Sequence, residues 1–409
     1  LSGTVDPDDL KDFLILGELS LDGKVRGING VVSACIKAKE LGIQKLVLPA
    51  GNKEEANLVK GMNIFFVESL EECVLGLKNP DFFVTDGKFE DTDKKYFIDF
   101  SEIKGQEIAK RCLSIAASGG HNCLFSGPPG SGKTLLSKAM PGILPDLNEE
   151  EILEVTKIYS QAGLLKNGIF TTRPFRAPHH TISFAAMVGG GKNIKPGEVA
   201  LAHLGVLFLD ELPEFSKTTL EALRQPLEDR QVTIARISGN LTFPASFTFL
   251  SSMNPCPCGY LGDKEKSCSC TPYSIDKYKK RISGPLLDRI DIQIDVPRIS
   301  PEKLLNFKPG ETSESYKQRV IKARAIQKSR FKDLHIKLNS EMSAKEIALF
   351  IKLDEKTEDF LKTAASRLNL SGRGIHRLLK TARTIADLEN SNDIEINHLA
   401  ESLQMRVKA

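Results

Sequence analysis

Residues 127–134 read GPPGSGKT, a full match to G-x-x-x-x-G-K-[ST] placed after an apolar run and before a helix-like one. In that pattern Gly127, Pro128, Pro129, Gly130, Ser131 and Gly132 form a loop whose backbone N–H groups can curl around a phosphate. The following helix start adds its positive dipole end. Lys133 would reach the β- and γ-phosphates, and Thr134 would help to hold Mg²⁺. Downstream, VLFLDEL at 206–212 is an apolar run ending in two acids. Asp210 would enter the Mg²⁺ shell, and Glu211 would orient or deprotonate an attacking water. Asn254 ends the next apolar run, FTFLSSMN, where its amide could position that same water; alone, an Asn before Pro255 is an ordinary turn residue. Together the three stretches point to Mg²⁺-dependent ATP hydrolysis.

Four of the eight cysteines fall in NPCPCGYLGDKEKSCSC at 254–270. Cys256, Cys258, Cys268 and Cys270 make two close pairs across a short loop, enough to close a tetrahedral thiolate site for structural Zn²⁺. Unliganded reduced thiols are the alternative. Cys35, Cys73, Cys112 and Cys123 lie singly among apolar residues and read as reduced core positions, consistent with a cytoplasmic protein. Arg289, in SGPLLDRIDI, is flanked by two acids. It reads either as a surface ion-pair partner or as the arginine that stabilises charge during hydrolysis.

The elements that must position these groups are alternating strands and helices. Residues 13–77 follow a βαβαβ rhythm, which implies a small α/β unit, and the polar residues 78–100 read as a linker. From 101, helix EIAKRCLSIAASGG precedes strand NCLFSG, the Gly-rich loop and helix KTLLSKAM. VLFLDEL and FTFLSSMN are apolar enough for the centre of a parallel sheet. Beyond Pro297 the pattern is almost wholly helical.

With these parts in place, GPPGSGKT, RPFRAPHHTIS, VGGGKNIKPGEVALAHLGVLFLDELPEF, NPCPCGY and SGPLLDRIDI resemble the magnesium-chelatase-like AAA+ ATPases, and within them the ComM/YifB family. The resemblance runs from about residue 13 to the end. It implies an α/β fold: a P-loop AAA+ core, a parallel sheet with flanking helices, followed by an α-helical lid. The implied division is a core at 101–298, with a pore-loop insertion at 173–200 and a four-cysteine insertion at 256–270, and a lid at 299–409. It also implies ATP and Mg²⁺ as cofactors, and a homo-oligomeric, hexameric ring with ATP between subunits. By motif, Lys133 and Thr134 would bind nucleotide, Asp210 and Glu211 would be the acidic pair, and Asn254 the sensor. Arg289 would be a finger acting in trans. Arg373 in LSGRGIHRLLKTAR would be the lid's second sensor, with Arg377 one turn later as the alternative.

His179 and His180 lie in the insertion, where an ordered loop or a nucleic-acid contact competes with a metal reading. GELSLDGKVRGINGVVSACIKAKELGIQKLVLPAGN resembles the second half of a Lon-type protease domain. Val32 stands at the position where that family carries its catalytic lysine, so no amine base is available to a serine. Residues 1–77 are therefore expected to be a partial, non-proteolytic Lon-like domain. The opening LSGTVDPDD reads as a start inside a longer natural chain.

Composition bounds these expectations. The chain of 409 residues is 41% hydrophobic and 27% charged, as in ordinary globular proteins, and suggests more than one domain. No apolar run approaches the roughly 18–20 residues that span a bilayer, so no membrane partner is expected. A net charge of +3 does not by itself argue for a polyanion. Local clusters do more. YKQRVIKARAIQKSRFK at 316–332 carries seven basic residues and no acid. On a helix, Val320, Ala323, Gln327 and Phe331 would face inward, leaving either a solvated surface or contacts to nucleic-acid phosphates. TPYSIDKYKKR at 271–281 adds Lys277, Lys279, Lys280 and Arg281 with interleaved tyrosines, a pattern suited to single strands. The resemblance implies a DNA branch-migration motor of natural transformation. A magnesium-chelatase-type motor subunit and a regulatory AAA+ ATPase that remodels a protein partner remain alternatives.

Overall fold

Three of the apolar runs form strands buried along nearly their whole length, as parallel strands covered on both faces must be. They belong to a five-stranded sheet whose strands, in chain order, are β1 Cys123–Ser126, β2 Phe175–Arg176, β3 Val206–Leu209, β4 Thr248–Met253 and β5 Ile292–Asp295. Their spatial order is β5-β1-β4-β3-β2, and all four pairings are parallel. Register brings Ser126 opposite Met253 and Leu209 opposite Ser251. The carboxyl ends of β1, β4 and β3 therefore lie side by side, which is where open α/β sheets bind ligands. The computed structural model describes residues 10–77, 79, 82–85, 98–165, 168–191, 194–236, 239–263, 265–299 and 310–406.

The described residues within 96–145, 173–190 and 197–409 form one unit, and those within 1–95, 146–172 and 191–196 another. In the sheet-bearing unit, Phe125, Phe208, Leu250 and Ile292 of the strands pack with Leu113 and Ile115 of helix Glu107–Gly119 and with Leu136 behind the phosphate loop. Side chains of this size each contribute roughly 1.5–3 kcal/mol on burial, so the core fixes strand positions far more strongly than any surface pair. An antiparallel hairpin, Gln231–Arg236 with Gly239–Pro244, stands between β3 and β4. After β5 come helices Ser313–Arg330, Ala344–Phe350, Glu355–Arg367, Gly372–Leu388 and Ile396–Gln404. The last four share an apolar core that includes Leu361, Leu378, Ala382 and Leu399. On helix Ser313–Arg330, Val320, Ala323 and Gln327 are buried, as is Phe331 just beyond it. Two of its basic residues turn inward as well. Arg324 donates twice to the Ala117 carbonyl near the end of helix Glu107–Gly119, and Arg330 pairs with Asp387. They are structural, which reduces the basic surface expected of this helix.

The other unit holds a sheet in the order Phe13–Ile15, Lys45–Pro49, Asn63–Val67, Val84–Thr85. The first three strands are parallel and the last antiparallel. Residues 84–85, expected in a linker, thus form an edge strand, while 86–97 lie outside the described residues. Val31, Val32, Cys35 and Ala38 turn one face of helix Val31–Glu40 into the core. Val32 is fully buried.

Helix Glu149–Ala162 also belongs here, although its residues fall inside the span 101–298 expected to be the ATPase core. Leu153 packs on the same apolar cluster. The Gly30 N–H donates to Ser160 Oγ at 2.9 Å, and Gln161 Nε2 donates to Ser33 Oγ at 2.8 Å. These contacts with helix Val31–Glu40 are why the segment groups with this unit. Among the described residues no helix is long and apolar enough to cross a membrane.

Candidate functional site

The loop 127–132 joins the end of β1 to helix Lys133–Ala139, and it lines a cleft of about 550 Å³ with Lys133, Thr134, Asp210, Glu211, Ser252 and Asn254. Five expected site residues from three separate stretches therefore share one cavity. Lys133 is buried, and its Nζ donates to the Gly127 and Pro128 carbonyls at 2.7 and 2.9 Å and faces Asn254 Oδ1 at 3.5 Å. Burial lowers its pKa, and the charges of Asp210 and Glu211 only partly offset this. A further anion in the cleft would favour the charged form.

Asp210 is held at both oxygens. Thr134 Oγ1 donates to Oδ2 at 2.7 Å, while Ser252 Oγ and the Glu211 N–H (3.1 Å) donate to Oδ1. The hydroxyl and carboxylate assigned to Mg²⁺ are thus already neighbours. Glu211 adopts φ 53°, a left-handed conformation that costs a non-glycine residue on the order of 1 kcal/mol or more. Its side chain is largely exposed at the cleft, with Oε2 3.9 Å from His180 Nδ1. His180 stacks on His179 at 4.0 Å between ring centroids, and His179 bonds Thr181. No third ligand joins the two histidines among the described residues, so the metal reading of this pair has no support.

The cleft suits a nucleotide triphosphate with Mg²⁺. Gly130 and Gly132 both have positive φ, and no atom stands where their side chains would be, leaving backbone N–H groups accessible. The buried Ser131 Oγ has no hydrogen-bond partner. The donor set, one ammonium, one hydroxyl and two carboxylates, is what phosphate and Mg²⁺ require.

Arg289, Arg373 and Arg377 lie elsewhere. They line a second cavity, of about 280 Å³, that shares no lining residue with the phosphate cleft. Arg289 donates to the Pro285 carbonyl at 2.8 Å and pairs with Glu228, and its Nε is buried without a partner. Arg377 lies 3.4 Å from Asp288 with Nη1 likewise unpartnered, while Arg373 is exposed. Arg230 and Lys380 add two more basic groups to a lining that also carries Glu228, Asp288 and Asp291. The expected lid sensor therefore stands beside the expected finger.

The sulfurs of Cys256, Cys258, Cys268 and Cys270 lie within 4.8 Å of one another. Separations of 3.3 to 3.6 Å compare with about 3.8 Å for a tetrahedron of bonds near 2.3 Å. Backbone N–H groups of Tyr260 and Ser269 lower the Cys258 thiol to about 6. Cys268 and Cys270 shift upward; each accepts a backbone N–H, and burial with the neighbouring sulfurs outweighs it. A cation is what would stabilise the fully ionised set. The lone cysteines Cys35, Cys73, Cys112 and Cys123 are all buried, and burial pushes Cys35 and Cys112 up to about 12.

Sequence reasoning passed over Ser252 and Gln106. Ser252 lies on β4 two residues before Asn254, which directly follows the strand, and counting the strand period back from Asn254 could have found it. Gln106 Nε2 bridges the Ser131 and Pro297 carbonyls across 191 residues of sequence, and no local pattern signals it. Tyr278, expected to be free to stack on bases, is buried, and burial pushes its hydroxyl up to about 12. Of the tyrosines in that segment only Tyr273 is exposed. Lys280 pairs with Asp276 and Arg281 with Glu214.

Comparison with known proteins accords with this geometry. The family model described as magnesium chelatase, subunit ChlI, matches residues 99–304, its C-terminal counterpart matches 310–406, and a further ChlI model matches 1–52. The chain is 41% identical to the competence protein ComM of Haemophilus influenzae over 99% of its own length and 80% of that protein's. It is 40% identical to the uncharacterized protein YifB of Escherichia coli over 97% and 78%. A shorter match, 32% over 75 residues, covers 17% of this chain and 9% of the Lon protease of Citrifermentans bemidjiense, so the Lon likeness is partial. With the parallel sheet, the helical region after it and identity along nearly the whole chain, the protein belongs to the magnesium-chelatase-like AAA+ ATPases, in the ComM/YifB family.

Proposed function

We propose that the protein is a ring-forming, Mg²⁺-dependent ATPase that drives DNA translocation and branch migration. The observation that carries the ATPase part is the convergence of Lys133, Thr134, Asp210, Glu211 and Asn254 on one cleft. Thr134 and Asp210 would hold Mg²⁺, which supplies charge neutralisation at the phosphates. Lys133 would leave the Gly127 and Pro128 carbonyls for the phosphate oxygens. Glu211 would take the proton of the attacking water, while the Asn254 amide orients that water.

Because Arg289 stands outside the cleft, a second copy of the chain would have to deliver it, and that supports a ring, hexameric by family resemblance. The separation of the two cavities extends this reading to Arg373, with Arg377 as the alternative. Zinc on the four thiols would brace the insertion at 256–270, and metal analysis of protein purified without chelator tests it. Four buried, unpaired cysteines suit a reducing compartment, so we place the protein in the cytoplasm. DNA as the substrate rests on the name of the relative ComM, a competence protein, and on the exposed basic residues of 271–281.

The test is the ATPase rate with single-stranded, duplex and four-way-junction DNA at several salt concentrations. Stimulation strongest with branched DNA and falling as salt rises is expected. A rate indifferent to every DNA, with no binding at low salt, overturns the DNA reading and favours a protein substrate. Lys133→Ala should lose hydrolysis. Mixing Lys133→Ala with Arg289→Ala subunits should restore part of it, because one interface then carries an intact loop and an intact finger.

A further inference from the structure

The cysteine insertion touches the phosphate cleft at three places, and nothing in its proposed bracing role requires that. First, Gly259 lies against the phosphate loop: a side chain there would come within 2.7 Å of Pro129 Cδ and 3.8 Å of Asn254 Cγ. Gly259 has φ 86°, and its N–H donates to the Cys256 carbonyl at 3.0 Å, so its place is set by the first cysteine pair. Second, Arg298 spans the two. Its Nη2 donates to the Pro129 carbonyl at 3.3 Å and lies 3.8 Å from Asp263, while Nη1 donates to Glu265 at 3.2 Å, both acids being inside the insertion. Third, Cys256 is two residues beyond Asn254, which lines the phosphate cleft.

The loop that cradles the phosphates and the residue that senses them are thus both fastened to the thiolate cluster. A side chain at position 259 would push on Pro129, because the gap between them has no room for a methyl group. Four thiols drawn onto one ion would tie the two cysteine pairs to a single point, and with them the residues that adjoin each pair.

We propose that the thiolate cluster and the phosphate loop are one coupled unit, in which metal on Cys256, Cys258, Cys268 and Cys270 favours nucleotide binding in the loop and nucleotide in turn favours retention of the metal. Gly259 and Arg298 are its positioning residues. The proposal rests on the nucleotide and zinc assignments above. Coupling of this kind is reciprocal, so the two effects must have the same size.

The experiment uses the full chain. Zinc affinity is measured by competition with a chromogenic chelator, with and without Mg²⁺ and a slowly hydrolysed ATP analogue. Affinity for the same analogue is measured with and without zinc. Both affinities should change by about tenfold, within the range typical of coupled sites. In Arg298→Gln, which adds no bulk, both ratios should fall below about threefold with zinc still bound at one per chain, and Arg298→Lys should recover part of the coupling. Gly259→Ala should also lose coupling; should it fail to fold, the Arg298 pair still decides. Ratios within twofold of unity in wild type that binds both ligands overturn the proposal, as does full coupling in Arg298→Gln. Failure of zinc or of the analogue to bind at all appears in the single-ligand titrations, and marks failure of the underlying assignment instead.

Discussion

At the scale of single residues, the acidic pair shows how function is set by neighbours as much as by the reacting groups. Asp210 accepts from Thr134, Ser252 and the Glu211 N–H, so its carboxylate cannot rotate without breaking three bonds. Ser252 also faces the Glu211 N–H at 3.4 Å. Ser252→Ala is therefore expected to lower kcat for ATP about tenfold while leaving KM within about twofold, because the hydroxyl aims the acids and does not touch the phosphates. Steady-state kinetics decide it, and an unchanged kcat removes Ser252 from the mechanism. GPPGSGKT is legible in sequence because all its members are contiguous and its flanks declare a strand and a helix. Ser252 emerges only when the strand period is counted back from Asn254, since a serine inside an apolar strand is no signal by itself.

At the scale of elements, β5 and the helical region are joined through a buried polar chain. His121, just before β1, bonds Asp291 at 3.3 Å and Thr384 at 2.8 Å, the latter on helix Gly372–Leu388. Burial pushes the Asp291 carboxyl up, but the bond from His121 and the charges of His121, Lys380 and Arg377 outweigh it, and the group sits below its ordinary value. A carboxyl depressed in the folded state stabilises the fold above its unfolded pKa of about 3.9, and that contribution fades as pH falls through the folded value. Asp291→Asn should thus cost about 3 kcal/mol at pH 7, and the gap in melting temperature from wild type should narrow below about pH 4. A gap that stays constant with pH would show that the charge is not what holds the elements. The pattern of helix Ser313–Arg330 is readable from its apolar positions, which do face inward. Its charges mislead, because Arg324 and Arg330 serve a helix end and a buried acid far away in sequence. The shared cavity of Arg289 and Arg373 is equally invisible beforehand, since 84 residues separate them and only folding brings the two stretches to one wall.

At the scale of the whole molecule, the chain leaves one unit and returns to it. It passes between them near residues 95, 145, 172, 190 and 196. Sequence rhythm alone suggests a simple succession, small α/β unit, linker, ATPase core, lid, because helix Glu149–Ala162 looks like any other helix of the core. Its apolar face in fact serves the unit that holds Val31 and Leu48. The Lon-like portion is therefore no detachable cassette. Removing residues 1–95 would leave Leu153, Ser160 and Gln161 without the partners they have in that unit. Such a truncation is expected to aggregate or to be cleaved by protease within 146–172, whereas a clean, fully active fragment starting at residue 96 would contradict it. This threading has an evolutionary edge. A segment interwoven in this way cannot be shed by a single deletion or acquired by a single fusion without cutting into the neighbour through which it is threaded.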